Sequence, residues 1–254
     1  MNTFINFQVP DKSSKSQIAR VATEKWVYEN GFCANCLCSL DKFPNNKPVA
    51  DFFCPECGNQ FELKSKRNSF GNKITDGAYE SMISRINASD NPNFFFMSYD
   101  MTNMTVNDYI LIPKHIFDIN IIERRKPLCK TAKRAGWVGC NILFNMIPEY
   151  TKIYYIKKGI AQDKIDIHKR WGQLTFFKTE EGVQYKGWLL DIILCIEMLK
   201  RPQFTLDEVY HFEPWLSKRH PDNSNIHAKI RQQLQVLRDK GYIKFISRGK
   251  YLIL

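Results

Sequence analysis

The sequence has no run of about 20 apolar residues, the length a helix needs to cross a bilayer. It has no long basic amphipathic helix with a bulky apolar face to lie on one. Position 2 is Asn2, not the glycine that myristoylation needs, and no prenylation cysteine stands at the C-terminus. The opening MNTFINFQVPDKSSK lacks a basic region followed by an apolar one, so it does not read as a secretion signal. These absences argue against a membrane partner and predict a cytoplasmic protein. There is no internal repeat and no low-complexity tract. Acidic residues are also scarce: 26 Asp and Glu stand against 37 Lys and Arg, for a net charge of +11. That balance suits a polyanion, because basic side chains release the counterions condensed on nucleic acid.

What is present can build a sizeable core. The chain has 254 residues, enough for one large domain or two ordinary ones, and 44% are hydrophobic, including 18 Phe and 11 Tyr. Its eight cysteines, in a reducing compartment, favour metal ligation over disulfides. Cys33-x-x-Cys36 and Cys54-x-x-Cys57 have structural-zinc spacing: each pair presents two thiolates from one turn, and four sulfurs complete a tetrahedron. Four protein ligands leave no open position, so this Zn²⁺ is structural. Cys38 is a spare thiol that can replace Cys36, and redox use of the pairs is the alternative. Cys129, Cys140 and Cys195 read as buried thiols.

The second cysteine pair sits inside PVADFFCPECGNQFELK, Pro48 to Lys64. Val49–Phe53 and Gln60–Lys64 read as two strands that bring Asp51 and Glu62 to one metal. An Asp among Val49, Ala50, Phe52 and Phe53 needs a reason to be there. Alternation puts Glu62 and Lys64 on one face, with Leu63 pointing into the core. Mg²⁺ is typically held by one or two carboxylates with waters and phosphate oxygens. Asp51, Glu62 and the Leu63 carbonyl suit that ion, and Lys64 then orients or deprotonates the attacking water or holds the scissile phosphate. The triplet resembles the PD-(D/E)xK nuclease motif, although Ala50 stands where the motif has proline. A solvated strand face also accounts for Glu-x-Lys.

Elsewhere, Ser14–Asn30 is predicted helical, with Ile18, Val21, Ala22, Trp26 and Val27 as its apolar stripe and Gly31 as its stop. KSKRNSFGNKITDG reads as a basic loop beside the cut, or simply a solvated one. A helix is expected over 78–87 with Asp76 as its cap. Phe94–Met97 reads as a strand covered on both faces, and Tyr109–Ile112 and Ile153–Ile156 as further strands, a mixed α/β pattern. In RRKPLCKTAKRAGWVGC, six basic residues precede Trp137, which wedges or stacks on a base, or else anchors its loop in the core.

After a polar stretch at 179–187 the texture changes. Trp188–Leu199, a capping box at Thr205–Glu208, a helix over 225–240 and a hairpin ending at Leu254 form the pattern of a winged helix. The expected domains are residues 1–182, a PD-(D/E)xK endonuclease with a Cys₄ zinc site, and residues 183–254, a winged-helix DNA-binding domain. Ile226, Ile230, Leu234 and Leu237 form the core stripe of the third helix. Ser224, Asn225, Ala228, Arg231, Gln232 and Gln235 are the candidate DNA readers, with Arg248, Lys244 and Lys250 on the wing. A winged helix used for protein contacts is the alternative.

PVADFFCPECGNQFELKSK, DGAYESM, NPNFFF, KRAGWVGCNI and IRQQLQVLRDKGYIKFISRGKY together resemble the DpnI-type methyl-directed restriction endonucleases, over essentially the whole chain. The resemblance implies Mg²⁺-dependent, type II hydrolysis of double-stranded DNA at GATC sites carrying N6-methyladenine. By position it gives Asp51, Glu62 and Lys64 the catalytic roles and Cys33, Cys36, Cys54 and Cys57 the zinc. The partner expected is adenine-methylated duplex DNA, bound by a protein that is a monomer in solution. The competing class is a zinc and winged-helix DNA regulator that does not cut, and the Asp51/Glu62/Lys64 triplet discriminates the two.

Overall fold

A computed structural model describes residues 1–7, 14–43, 50–88, 91–178 and 183–254. The chain forms two compact units, one of residues 1–145 with 151–175, the other of residues 146–150 with 176–254. Pro48, Val49 and the turn expected from Pro44 lie outside the described residues, as does the start of the polar stretch at 179–187. Among the described residues no helix is long and apolar enough to cross a membrane.

The first unit is built on a seven-stranded mixed sheet. Its strands are β1 (Asp41–Lys42), β2 (Phe52–Phe53), β3 (Gln60–Arg67), β5 (Asn93–Asp100), β6 (Thr105–Ile112), β9 (Ile153–Lys157) and β10 (Ile160–Ala161), in that spatial order. Strands β3 and β5 are parallel, and every other pair is antiparallel. β5 has seven consecutive buried residues, Asn93–Tyr99, as its apolar run predicts. Phe95 stacks between Phe61 and Tyr109, with ring centroids 4.9 and 4.8 Å away.

A parallel pair needs a crossover. Here it contains β4 (Ile74–Ala78) and α2 (Tyr79–Asn87). β4 joins a second sheet, in the order β4-β8-β7, with β7 at Ile122–Arg124 and β8 at Gly139–Ile142. The expected basic loop is therefore shorter than the sequence suggested. Lys64, Lys66 and Arg67 lie on β3, Ile74–Gly77 on β4, and only residues 68–73 connect them. Lys66 donates to the Phe70 carbonyl at 2.9 Å, and Lys73 pairs with Glu123 at 2.6 Å. Nor does Asp76 cap α2, whose N-cap is Ala78 with no side-chain cap bond.

Helix α1 (Lys15–Asn30) is capped by the Ser14 side chain accepting from the Gln17 N–H, and it stops at Gly31. A Cβ on Gly31 would meet the Val27 carbonyl oxygen at 2.5 Å. Ala19, Ala22, Thr23, Trp26 and Val27 are buried, but Val21 is exposed and lies off the stripe. Helix α3 (Lys164–Gln173) packs near β9.

The second unit is a winged helix. Trp188–Ile196 of α4 (Val183–Met198) is a continuous buried run, as an all-round apolar helix requires. The acid within that buried run, Asp191, accepts from Arg219 and pairs with His220, both at 2.8 Å. Helix α5 (Leu206–Tyr210) carries the expected Thr205/Glu208 capping box. Helix α7 (Ile226–Asp239) buries the predicted stripe of Ile226, Ile230, Leu234 and Leu237. The wing, β12 (Ile243–Ser247) and β13 (Lys250–Ile253), is joined by β11 (Gln203–Thr205). Sequence patterning missed β11 and α6 (Glu213–Arg219). Pro214 reads as a breaker, yet it sits in the first turn of α6, where no intrahelical N–H bond is lost.

Candidate nuclease site and zinc cluster

The four-cysteine cluster rests on two copies of one local turn. In each, the N–H four residues after the first cysteine donates to that cysteine's carbonyl: Leu37 to Cys33 at 2.8 Å and Gly58 to Cys54 at 3.0 Å. The first cysteine's own N–H donates five residues on, to Cys38 and Asn59 at 2.9 and 2.8 Å. Both turns need a positive φ at the fourth residue, 62° at Leu37 and 70° at Gly58. Glycine does this without strain and leucine does not. The Sγ atoms of Cys33, Cys36, Cys54 and Cys57 all lie within 4.8 Å of one another.

Four soft thiolate donors from two knuckles fit a closed tetrahedral zinc. Burial opposes ionisation of Cys57, but the Asn59 N–H and the neighbouring thiols outweigh it and bring its pKa down to about 6. The Cys33 and Cys36 thiols are pushed the other way, Cys33 by burial and Cys36, to about 11, by its hydrogen bond with Cys57. Cys38 lies 3.2 Å from Cys54, yet outside the mutually close four.

Three side chains that sequence reasoning did not find hold the first knuckle. Tyr155 on β9 donates its hydroxyl to the Phe32 carbonyl at 2.9 Å, His168 on α3 bonds the Ala34 carbonyl at 2.9 Å, and Trp171 donates to Asn35 at 3.2 Å.

The second knuckle connects β2 to β3 directly, and this fixes the acidic cluster. Asp51 does not lie on the strand expected for it but just before β2. Its N–H still donates to the Phe61 carbonyl at 3.0 Å, and its side chain extends the ladder: Leu63 N–H donates to Asp51 Oδ2 at 2.7 Å. A strand residue's N–H and C=O point to one side, so the Leu63 carbonyl faces the Asp51 edge. Its side chain is half-buried rather than in the core. Thr23 of α1 reaches Ser65 at 3.2 Å.

Glu62 and Lys64 share a face, as alternation requires, with Nζ 2.6 Å from Glu62 Oε1. Burial would lower the Lys64 pKa, but Glu62 and Asp76 outweigh it and raise it to about 12. Burial raises the Asp51 pKa against the lowering effect of the Leu63 N–H, and the negative charges of Glu62 and Glu24 raise it further.

Asp76 was missed as a member of this cluster. It accepts no cap bond from α2, and its Oδ1 instead accepts from Lys64 Nζ at 2.5 Å. Two carboxylates, Glu62 and Asp76, therefore hold one ammonium, and Asp51 is near enough for its charge to be felt there. The hard oxygen donors and the surplus negative charge fit a divalent cation held by Asp51, Glu62 and the Leu63 carbonyl. Glu24 on α1, paired with Arg20 at 2.6 Å, adds charge within reach of Asp51.

Trp137 sits at the stem of a hairpin extending β7 and β8, held by Arg125 N–H to Gly139 and Leu128 N–H to Trp137, each at 2.9 Å. A Cβ on Gly139 would lie 2.7 Å from the Trp137 ring, and the Arg134 guanidinium is 4.7 Å from its centroid. The ring is half-buried, and the six basic residues before it are exposed. Cys129 is exposed at the hairpin tip, not buried as expected, and hydrogen bonding from Thr131 lowers its pKa.

In the second unit Ser224, Arg231, Gln232, Gln235 and Arg248 are exposed and Ala228 is half-exposed. Arg231 donates to the Tyr210 hydroxyl at 2.7 Å. Asn225 has a different role from the others, since its side chain caps α7 by accepting from the Ala228 N–H at 3.2 Å.

Comparison with known protein families gives two matches. Residues 1–180 match the model of DpnI, the Dam-replacing family, and residues 184–252 match DpnI_C, the Dam-replacing HTH domain. Membership implies a modification-dependent restriction endonuclease that binds DNA. With both matches in chain order on a mixed-sheet unit and a winged helix, the chain belongs to the DpnI, Dam-replacing family.

Proposed function

We propose that this protein is a type II site-specific deoxyribonuclease of the PD-(D/E)xK class, cutting double-stranded DNA at GATC sites whose adenine carries an N6-methyl group, with Mg²⁺ as cofactor. The observation that carries the cutting centre is the pair of contacts joining Asp51 to Leu63 and Glu62 to Lys64 at the end of β2. In this reading residues 1–182 cut and residues 183–254 read sequence. The methyl and GATC requirements rest on the family resemblance.

Asp51, Glu62 and the Leu63 carbonyl would hold the cation, which supplies Lewis-acid polarisation of the phosphoryl oxygen and an activated water. The rest of the chemistry belongs to the chain. The Leu63 N–H keeps the Asp51 carboxylate turned toward the open edge of β3. Lys64, an ammonium held by carboxylates, donates to the water or to the phosphate and stabilises negative charge as it develops. The second zinc knuckle would keep Asp51 in register with Glu62, because it connects β2, which Asp51 precedes, to β3, which carries Glu62.

A regulator that only binds DNA would have no use for a lysine buried among carboxylates, which opposes the non-cleaving alternative. Adenine-methylated and unmethylated plasmid, each incubated with protein and Mg²⁺ or with EDTA, tests the proposal. Cutting of methylated plasmid alone, and only with Mg²⁺, is expected. Equal cutting of both plasmids removes the methyl dependence, and no cutting of either removes the nuclease.

A further inference from the structure

We propose that Asp76 is the positioning residue for Lys64, the group that keeps the ammonium aimed when Glu62 turns to the metal. The inference rests on reading Lys64 as a catalytic group. In the structure Lys64 Nζ lies between two carboxylates, Glu62 Oε1 at 2.6 Å and Asp76 Oδ1 at 2.5 Å. Their parts differ. Glu62 is a metal ligand in the proposed reaction, so its hold on Lys64 weakens when a cation takes its oxygens. Asp76 comes from another sheet and can keep its hold throughout.

The geometry of β4 is built for this contact. Asp76 pairs with Cys140 across β4 and β8, and the register then shifts by one residue at Gly77. Such a bulge re-aims the side chains beside it. The Gly77 N–H donates to Asp76 Oδ1 at 2.7 Å, fixing the carboxylate that meets Lys64. The Asp76 side chain is only 8% exposed, and its second oxygen, Oδ2, is buried with no hydrogen-bond partner.

A role in folding alone does not account for a carboxylate here. An asparagine would accept the Gly77 N–H equally well without placing a negative charge in a buried site. The charge has one use among its neighbours, which is to hold an ammonium. Cys140 beside it stays a neutral thiol, its pKa pushed up to about 11 by burial and by Asp76.

The test compares wild type, Asp76→Asn and Lys64→Ala on a duplex with one methylated GATC site. Single-turnover cleavage, DNA affinity with Ca²⁺ in place of Mg²⁺, the Mg²⁺ concentration for half-maximal rate, and thermal unfolding are measured for each. Asp76→Asn is expected to cut roughly 100-fold more slowly, the scale of a misplaced catalytic group, with affinity, half-saturating Mg²⁺ and melting temperature close to wild type. Asp76→Ser makes the same comparison if the asparagine variant does not fold.

Wild-type cleavage by a charge-free variant at position 76, with Lys64→Ala inactive, overturns the inference and leaves the reading of Lys64 standing. A slower rate matched by an equal loss of affinity or of folded protein assigns Asp76 to structure and also overturns it. Wild-type cleavage by Lys64→Ala removes both.

Discussion

Asn225 and Arg231 lie on one helix and were candidates for one task, yet their side chains do different things. Asn225 caps α7 and Arg231 is exposed, bonded to Tyr210. Asn225→Ala should therefore cost about 1 kcal/mol of stability, the usual loss of an N-cap, read as a lower denaturant midpoint. Arg231→Ala should leave that midpoint unchanged and weaken DNA binding by about 1–3 kcal/mol if Arg231 meets a base edge. A stability loss for Arg231→Ala, with no change in affinity, would contradict the assignment.

What the sequence makes legible at this scale follows the same division. Glu62 and Lys64 were readable because strand alternation is local. That Asp51 comes beside β3 was readable from an acid in an apolar run, although it precedes β2 instead of lying on the expected strand. Asp76 was not, because its partner is reached only when β4 leaves the main sheet and a bulge turns it back. A residue-level pattern such as Asp-Gly says "turn" or "cap" before it says any of this.

At the scale of elements, the cysteine knuckles help set the geometry of the proposed cutting site. Only residues 54–59, the second cysteine knuckle, lie between β2 and β3, so the register of Asp51 against Glu62 depends on it. Removing zinc with a chelator, or replacing Cys57 with serine, should abolish cleavage and lower the melting temperature without touching a proposed catalytic residue. Structural zinc sites contribute folding free energy directly. Full activity in folded, zinc-free protein, with metal content measured by elemental analysis, would break that dependence. The knuckles were legible because cysteine spacing carries its own geometry. Their supports, Tyr155, His168 and Trp171, were not, since each is brought in from more than a hundred residues away in the chain. Helix α6 and strand β11 were missed for a simpler reason: both are short, and α6 carries a proline in its first turn.

For the whole molecule the governing quantity is charge. A net +11 with exposed basic residues on the β7–β8 hairpin and on the wing predicts affinity that falls steeply with salt. The slope of log affinity against log salt should be about −0.9 for each phosphate neutralised on duplex DNA. Measured on unmethylated DNA, a flat slope would leave the charge without a polyanion partner. That the mixed α/β part is followed by a winged helix was legible because periodicity and capping signals are dense near the C-terminus. The identity of the modified base was not legible in that way, since no spacing or periodicity encodes a methyl group.

The central claim is that Asp51, Glu62 and Lys64 form the centre that cuts. Single-turnover cleavage of a methylated GATC duplex by wild type and Asp51→Asn, with affinity measured in parallel, tests it most directly. The expected result is a rate loss of about 100-fold or more at unchanged affinity. Cleavage by Asp51→Asn at the wild-type rate would contradict the claim.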